Sequence, residues 1–245
     1  AAGEGCMKHR AGIACAMLSA SLCLAAPAHG EEKTEAAKSA PAKRAVVDLR
    51  SDRILLLDIA QVDNRITAVG ERGFTLVSDD GGQTWKGLPT PVTRTLTGVA
   101  FKDAKVGVAG GGGRAQGQGT HLAGDHFIAY GAFGLYFDSQ DAGKTWQRVT
   151  VLSEDFDRHI SQIIAVGTAL LLVAESGMLA RSDDGGATWT ALTSPYQGSY
   201  FGALAVKDGS VLAFGMRGNV FRSLDVGTTW QKIETGTTTS FMSGL

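Results

Sequence analysis

Ser182-Asp183-Asp184-Gly185-Gly186-Ala187-Thr188-Trp189 is one of four statements of a single phrase in this chain. The others are Ser78-Asp79-Asp80-Gly81-Gly82-Gln83-Thr84-Trp85, Ser139-Gln140-Asp141-Ala142-Gly143-Lys144-Thr145-Trp146 and Ser223-Leu224-Asp225-Val226-Gly227-Thr228-Thr229-Trp230. The shared pattern is S-x-D-x-G-x-T-W. Its fixed positions are Ser78, Asp80, Gly82, Thr84 and Trp85; Ser139, Asp141, Gly143, Thr145 and Trp146; Ser182, Asp184, Gly186, Thr188 and Trp189; and Ser223, Asp225, Gly227, Thr229 and Trp230. All 4 tryptophans of the chain lie in the phrase, spaced 61, 43 and 41 residues apart. The basic period is therefore about 42, and a period of ~40–45 holding several short strands marks the blades of a β-propeller.

The composition of the phrase has a physical reason. An Asp at the head of a hairpin turn accepts hydrogen bonds from backbone N–H groups just ahead of it. Gly takes positive φ without a Cβ clash, and the Trp lays a large apolar face over the edge of the blade. These twenty residues are accordingly expected to be structural. The pairs Asp79/Asp80 and Asp183/Asp184 do not present the cage of six to eight oxygens that Ca²⁺ prefers. No metal or cofactor is expected.

Around each phrase the chain reads as short strands. In the first unit these are Ile54 to Ile59, Arg65 to Val69, Phe74 to Ser78 and Trp85 to Leu88. In the fourth they are Phe201 to Val206, Val211 to Phe214, Asn219 to Ser223 and Trp230 to Ile233. No window after Arg44 sustains a helical stripe. The expected fold is all-β: a propeller of four-stranded antiparallel blades, with four complete units and the start of another after Gln231. The first interval carries roughly 19 extra residues, read as a flexible insertion at about 109–127 that opens on Gly110-Gly111-Gly112-Gly113. Such a module either belongs to a longer ring or closes by oligomerising, because an open propeller leaves strand edges and half a buried face exposed.

Ahead of the repeats, Lys8 and Arg10 precede an apolar stretch from Ile13 to Ala25 and the A-x-A site Ala26-Pro27-Ala28. Residues 1–28 are read as upstream residues plus an export signal, too short to span a bilayer. Residues 29–45, rich in Glu, Lys, Ala and Pro, are read as a tether, and residues 46–245 as the propeller. All 3 cysteines (Cys6, Cys15 and Cys23) precede the expected cleavage site, so the exported chain has no disulfide or thiolate chemistry. The chain has 33 glycines in 245 residues, about twice the usual share, in keeping with many tight turns. A net charge of −1 gives no electrostatic footprint for nucleic acid.

The phrase is the Asp-box, or bacterial neuraminidase repeat. Together with the G-x-x-G that precedes it (Gly70 to Gly73, Gly131 to Gly134, Gly215 to Gly218), it resembles the photosystem II stability and assembly factor family, and in particular its exported bacterial relatives. The resemblance covers about residues 46–240. It implies a propeller that acts as an assembly or interaction factor without catalysis, in the periplasm, or in the thylakoid lumen if the host is photosynthetic. The implied partner is a protein, membrane-associated or an unassembled chain segment.

Candidate site residues follow from position. Thirteen residues before each motif Trp lie Arg72, Phe133, Ser176 and Arg217, at the turn between second and third strands. That turn faces away from the Asp-box turns and toward the central channel. Arg72, Phe133 and Arg217 there would suit carboxylates or an extended polypeptide. Two other clusters are weaker: Glu154, Asp155, Asp157, Arg158 and His159 between units, and His121, Asp125 and His126 in the insertion. A sialidase-like hydrolase is an alternative, since sialidases share the Asp-box. It would need a Tyr–Glu nucleophile pair, yet Tyr130, Tyr136, Tyr196 and Tyr200 show no Glu at a repeat-equivalent position, and no Arg-Ile-Pro occurs. A structural subunit of an envelope complex is the third reading.

Overall fold

In the computed structural model the described residues are 54–88, 90–111, 117–123 and 125–244. The expected signal and tether, and residues 46–53, lie outside them. Among the described residues eighteen strands form four four-stranded antiparallel sheets and one two-stranded sheet. The first sheet comprises β1 (Leu56–Val62), β2 (Arg65–Gly70), β3 (Thr75–Ser78) and β4 (Lys86–Leu88). The pair β5 (Gly98–Phe101) and β6 (Gly107–Gly110) follows. Next come β7 (Gly117–Ala123), β8 (His126–Gly131), β9 (Tyr136–Ser139) and β10 (Gln147–Arg148). The last two sheets are β11 (Ile160–Val166), β12 (Ala169–Ala174), β13 (Leu179–Ser182), β14 (Thr190–Ala191), and β15 (Tyr200–Ala205), β16 (Val211–Gly215), β17 (Val220–Ser223), β18 (Gln231–Ile233).

The first strands β1, β5, β7, β11 and β15 neighbour one another in that order, so each sheet is a blade standing radially on an inner strand. Among the described residues the ring of sheets is not closed. Cores form between blades: Ile128, Tyr136, Ile160, Leu170 and Trp189 pack in one such layer, and Leu171, Leu179, Tyr200, Val211 and Phe221 in another.

The extra residues of the first interval resolve differently from the insertion expected at 109–127. The pair β5–β6 takes a blade position of its own as a half-blade, and β7 and the start of β8 fall inside the stretch read as a flexible loop. Sequence reading missed this because the half-blade carries no Asp-box, and β7, Gly-Gln-Gly-Thr-His-Leu-Ala, has little of the β-branched and aromatic character of a strand.

Neighbouring inner strands are latched by side chains. A bulge after Leu56, Ile160 and Tyr200 brings Asp58, Gln162 and Gly202 to one register position. Asp58 Oδ2 accepts the Val99 N–H at 2.8 Å, and Gln162 Oε1 accepts the Ala203 N–H at 2.8 Å, each 41 residues on. Where the position is Gly119 or Gly202, a ring from the second strand fills the gap: Tyr130 lies over Gly119 and Phe214 over Gly202.

Candidate functional site

Each Asp-box is closed by the same bonds. In the third copy Ser182 Oγ accepts the Gly186 N–H (2.8 Å) and donates to Asp184 Oδ1 (2.7 Å). Asp184 then accepts the Thr188 N–H (2.8 Å) and hydroxyl (2.6 Å). The Thr hydroxyl and N–H, with the Ser hydroxyl or further N–H groups, hold Asp80, Asp141, Asp184 and Asp225 down at about 2. Such carboxylates are acceptors already in use, suited to neither proton transfer nor a nucleophile's role. Trp85, Trp146 and Trp230 donate Nε1–H to the motif Gly carbonyl. In the third copy Tyr136 donates its hydroxyl to Gly186 O at 3.0 Å instead, and its ring meets buried Trp189 edge-on.

The Asp-box turn lies beside the turn joining first to second strand, since Gly81 N–H donates to Asn64 O at 3.0 Å. The opposite face carries the turns between second and third strands and the connectors between blades. On it Arg72, Phe133, Ser176 and Arg217 are exposed, with φ of 56°, 55°, 55° and 57°. The left-handed region is unusual for such residues, and the glycine that follows explains it. A Cβ on Gly73, Gly134, Gly177 or Gly218 would lie within about 2.1 Å of a connector carbonyl: Val92, Phe156, Tyr196 or Thr237. The chain must turn sharply to let backbone touch backbone, and the side chain ahead of the glycine is thrown outward. Thr90 and Thr235 hold the same arrangement by donating to Gly73 O (2.6 Å) and Gly218 O (2.8 Å).

Arg72, Phe133 and Arg217 are thus presented on one face, each on its own blade and one strand out from the innermost. Arg217 borders a pocket of about 550 Å³ shared with Lys232, Glu234 and Thr235–Thr238. The Phe133 ring meets the His159 ring edge-on at 4.8 Å. Glu175 accepts the His159 N–H at 2.9 Å and stands 3.8 Å from His159 Nδ1. His159, read in sequence as part of an inter-unit link, therefore joins Phe133. Glu175, next to Ser176 in the same turn, was not singled out in sequence because its hydrogen bond reaches a residue 16 positions away; Glu71, at the equivalent turn, accepts the Leu55 N–H in the same way at 3.3 Å.

The other candidates disperse. Asp125 pairs with Lys102 at 3.0 Å, and His126 pairs with Asp138. His121, pushed down by burial and by the nearby His126, stands on the neighbouring strand with Nε2 enclosed. Among the described residues no group of three or more His, Cys, Asp or Glu is arranged to hold a metal. Burial pushes the hydroxyls of Tyr130 and Tyr200 up to about 12 and that of Tyr136 higher still, the direction opposite to a phenolate nucleophile. A central channel of about 660 Å³ is lined by residues of the inner strands, including Leu57, Ser161 and Phe201, and by Thr97 just ahead of β5. Its carboxyl, Asp58, is raised by burial, but its oxygens accept the Val99 and Ile59 N–H groups.

Comparison with known proteins follows this geometry. The family profile described as "Photosynthesis system II assembly factor YCF48" matches residues 115–242, and a BNR/Asp-box repeat matches residues 76–86. No curated protein matches the sequence. Among solved structures, "YCF48 bound to D1 peptide" superposes with a TM-score of 0.55 at 15% identity, covering 73% of this chain and 68% of that one. The GH74 enzyme of Niastella koreensis gives 0.54 at 14% identity, with 74% of this chain and 37% of that one covered. The WD40 β-propeller domain of Doa1 gives 0.55 at 11%, covering 71% and 67%. At these identities the structural likenesses establish the β-propeller fold. No helix among the described residues is long and apolar enough to cross a membrane.

Proposed function

The chain belongs to the YCF48-like photosystem II assembly-factor family, and from that premise we propose that it is a non-enzymatic assembly or interaction factor. It binds an extended polypeptide segment of a membrane-protein partner on the face that carries Arg72, Phe133 and Arg217. One observation carries this reading: the fold forces each of the four Asp-box blades to throw a left-handed turn residue outward on the same face, and two of the four are arginines. Guanidinium groups recognise carboxylates and backbone carbonyls through paired N–H donors. Phe133, edge-on to His159, supplies an apolar stop between them. The peptide carried by the YCF48 structure of the same fold supports the choice of ligand.

Export supports a periplasmic setting, or a thylakoid lumen in a photosynthetic host; the basis is the Lys8-to-Ala28 signal pattern. Fractionation with N-terminal sequencing tests it, and a cytosolic protein starting before Ala28 would end it. A glycosidase on this scaffold requires two carboxyl groups flanking the scissile bond, one of them raised. Asp58 is raised but held by backbone donors, which favours the binding function. The test of the binding face is co-purification with the double variant Arg72→Glu, Arg217→Glu. Partner recovery is expected to fall at least about tenfold, the loss of one charge-assisted contact; undiminished recovery by a folded double variant refutes the face.

A further inference from the structure

The described residues contain 3 histidines, His121, His126 and His159, and all lie on one seam, between the blade β7–β10 and the blade β11–β14. At the Asp-box face a Cβ on Gly185, in the turn of the later blade, would stand 3.2 Å from His126 Nε2. At the opposite face the His159 ring, just ahead of β11, meets Phe133 of the earlier blade. Beside it the Gly134 N–H crosses the seam to Arg158 O at 2.9 Å. His121 stands between these two ends. It pairs with Ile128 across the sheet, so its side chain lies on the face that packs Ile128 against Ile160, Ile163 and Leu172 of the later blade.

His121 Nε2 is enclosed there and has no hydrogen-bond partner among the described residues. The groups around it are already in use. β11 and β12 carry no titratable side chain, and their polar groups point to the next blade: Ser161 Oγ donates to Tyr200 O, and Gln162 Oε1 accepts the Ala203 N–H. Asp138 is engaged by His126, Asp184 by Ser182 and Thr188, Asp183 by Arg181, and Glu175 by the His159 N–H. The Tyr136 hydroxyl donates to Gly186 O, and that of Tyr130 lies over Gly119. On the other side of β7, β5 and β6 carry no titratable side chain, Asp125 pairs with Lys102, and Asp58 accepts the Val99 N–H.

We propose that this seam is an acid-sensitive joint: protonation of His121 opens the packing between the two blades and frees the Phe133 turn from the His159 connector. A neutral imidazole can leave one ring nitrogen unpaired. An imidazolium makes both nitrogens donors and places a charge where no carboxylate is free, and opening the seam admits water to it. His126 and His159 differ, because each stands beside a carboxylate of its own blade, Asp138 and Glu175, and can be charged without parting the blades. Burial and the nearby His126 push His121 below the ordinary imidazole range, so the closed seam holds above that range and loosens as pH falls through the lowered value. The Asp-box carboxyls titrate far lower, at about 2, and leave the mildly acidic interval to the imidazoles. That a bound partner is released with the seam rests on the function proposed above; the opening itself does not.

Amide exchange on the full chain, read residue by residue by NMR between about pH 7.5 and about pH 5.5 and expressed as protection factors, tests it. The Gly134 N–H is expected to lose up to about tenfold in protection per pH unit, the slope of one extra proton in the open state. The Ala203 N–H, which crosses the next seam to Gln162, is expected to hold. His121→Leu abolishes the loss and His159→Gln keeps it; His121→Gln takes the place of the leucine variant if that one does not fold. Protection of Gly134 that is independent of pH overturns the proposal. So does a loss that persists in the folded His121 variant, or one that Ala203 shares in step. No partner enters these measurements, so their outcome is separate from that of the co-purification.

Discussion

Gly177→Ala isolates the feature that shapes the proposed binding face. Gly177 has φ of 72°, and a Cβ there would stand 2.0 Å from the Tyr196 carbonyl oxygen and 3.0 Å from Gln197 Cα. Two costs combine. A left-handed alanine costs about 1–2 kcal/mol, and driving the connector away costs about 1–3 kcal/mol more, as for any overpacked site. The sum, about 2–5 kcal/mol, is a large share of a typical ~5–15 kcal/mol of stability. Gly167→Ala is the control: φ is 62° and nothing lies within 4 Å of the Cβ position, so only the backbone cost of about 1–2 kcal/mol applies. At about 2–4 °C per kcal/mol for a chain of this size, Gly177→Ala is expected to melt about 4–20 °C lower and Gly167→Ala about 2–8 °C lower. Urea titration followed by tryptophan fluorescence measures both. Equal losses, within about 0.5 kcal/mol, would refute the claim that connector contact sets this turn.

Three further outcomes follow from the same structure. The Asp-box carboxyls are depressed to about 2, so their contribution to stability is complete above the ordinary carboxylate range and is lost as pH falls through about 2; in an acid titration Asp184→Asn is expected to flatten that dependence. Trp189→Ala is expected to cost about 3–5 kcal/mol as a buried aromatic truncation, and Trp85→Ala clearly less, because Trp85 is 41% exposed against 9% for Trp189; thermal melts of the two variants decide. Tyr136→Phe removes the hydroxyl that donates to Gly186 O and is expected to cost about 1 kcal/mol in denaturant titration.

What could be read from sequence is what the chain builds over short distances. Each Asp-box bond joins residues two to four apart, so four copies of S-x-D-x-G-x-T-W announced both the turns and the propeller. The position thirteen residues before each Trp was equally legible, since the two hairpins between them have nearly constant length. The half-blade was not, because β5 and β6 lack the phrase and β7 reads as a glycine-rich loop. Nor were the inner-strand latches: Asp58 and Gln162 look like ordinary surface residues until a bulge turns them toward an N–H 41 positions away. Glu175 stands in the same turn as Ser176, but its bond to the His159 N–H, 16 residues away, is made by the fold.

Site-specific photo-crosslinking addresses the central claim most directly. A benzophenone amino acid replaces Phe133 on the proposed binding face or Leu224, the exposed residue of an Asp-box turn on the opposite face. Covalent partner adducts in the native host, identified by mass spectrometry, are predicted from position 133 and not from position 224. Adducts from position 224 alone, or equally from both, would contradict a partner-binding face built on the turns that hold Arg72, Phe133 and Arg217.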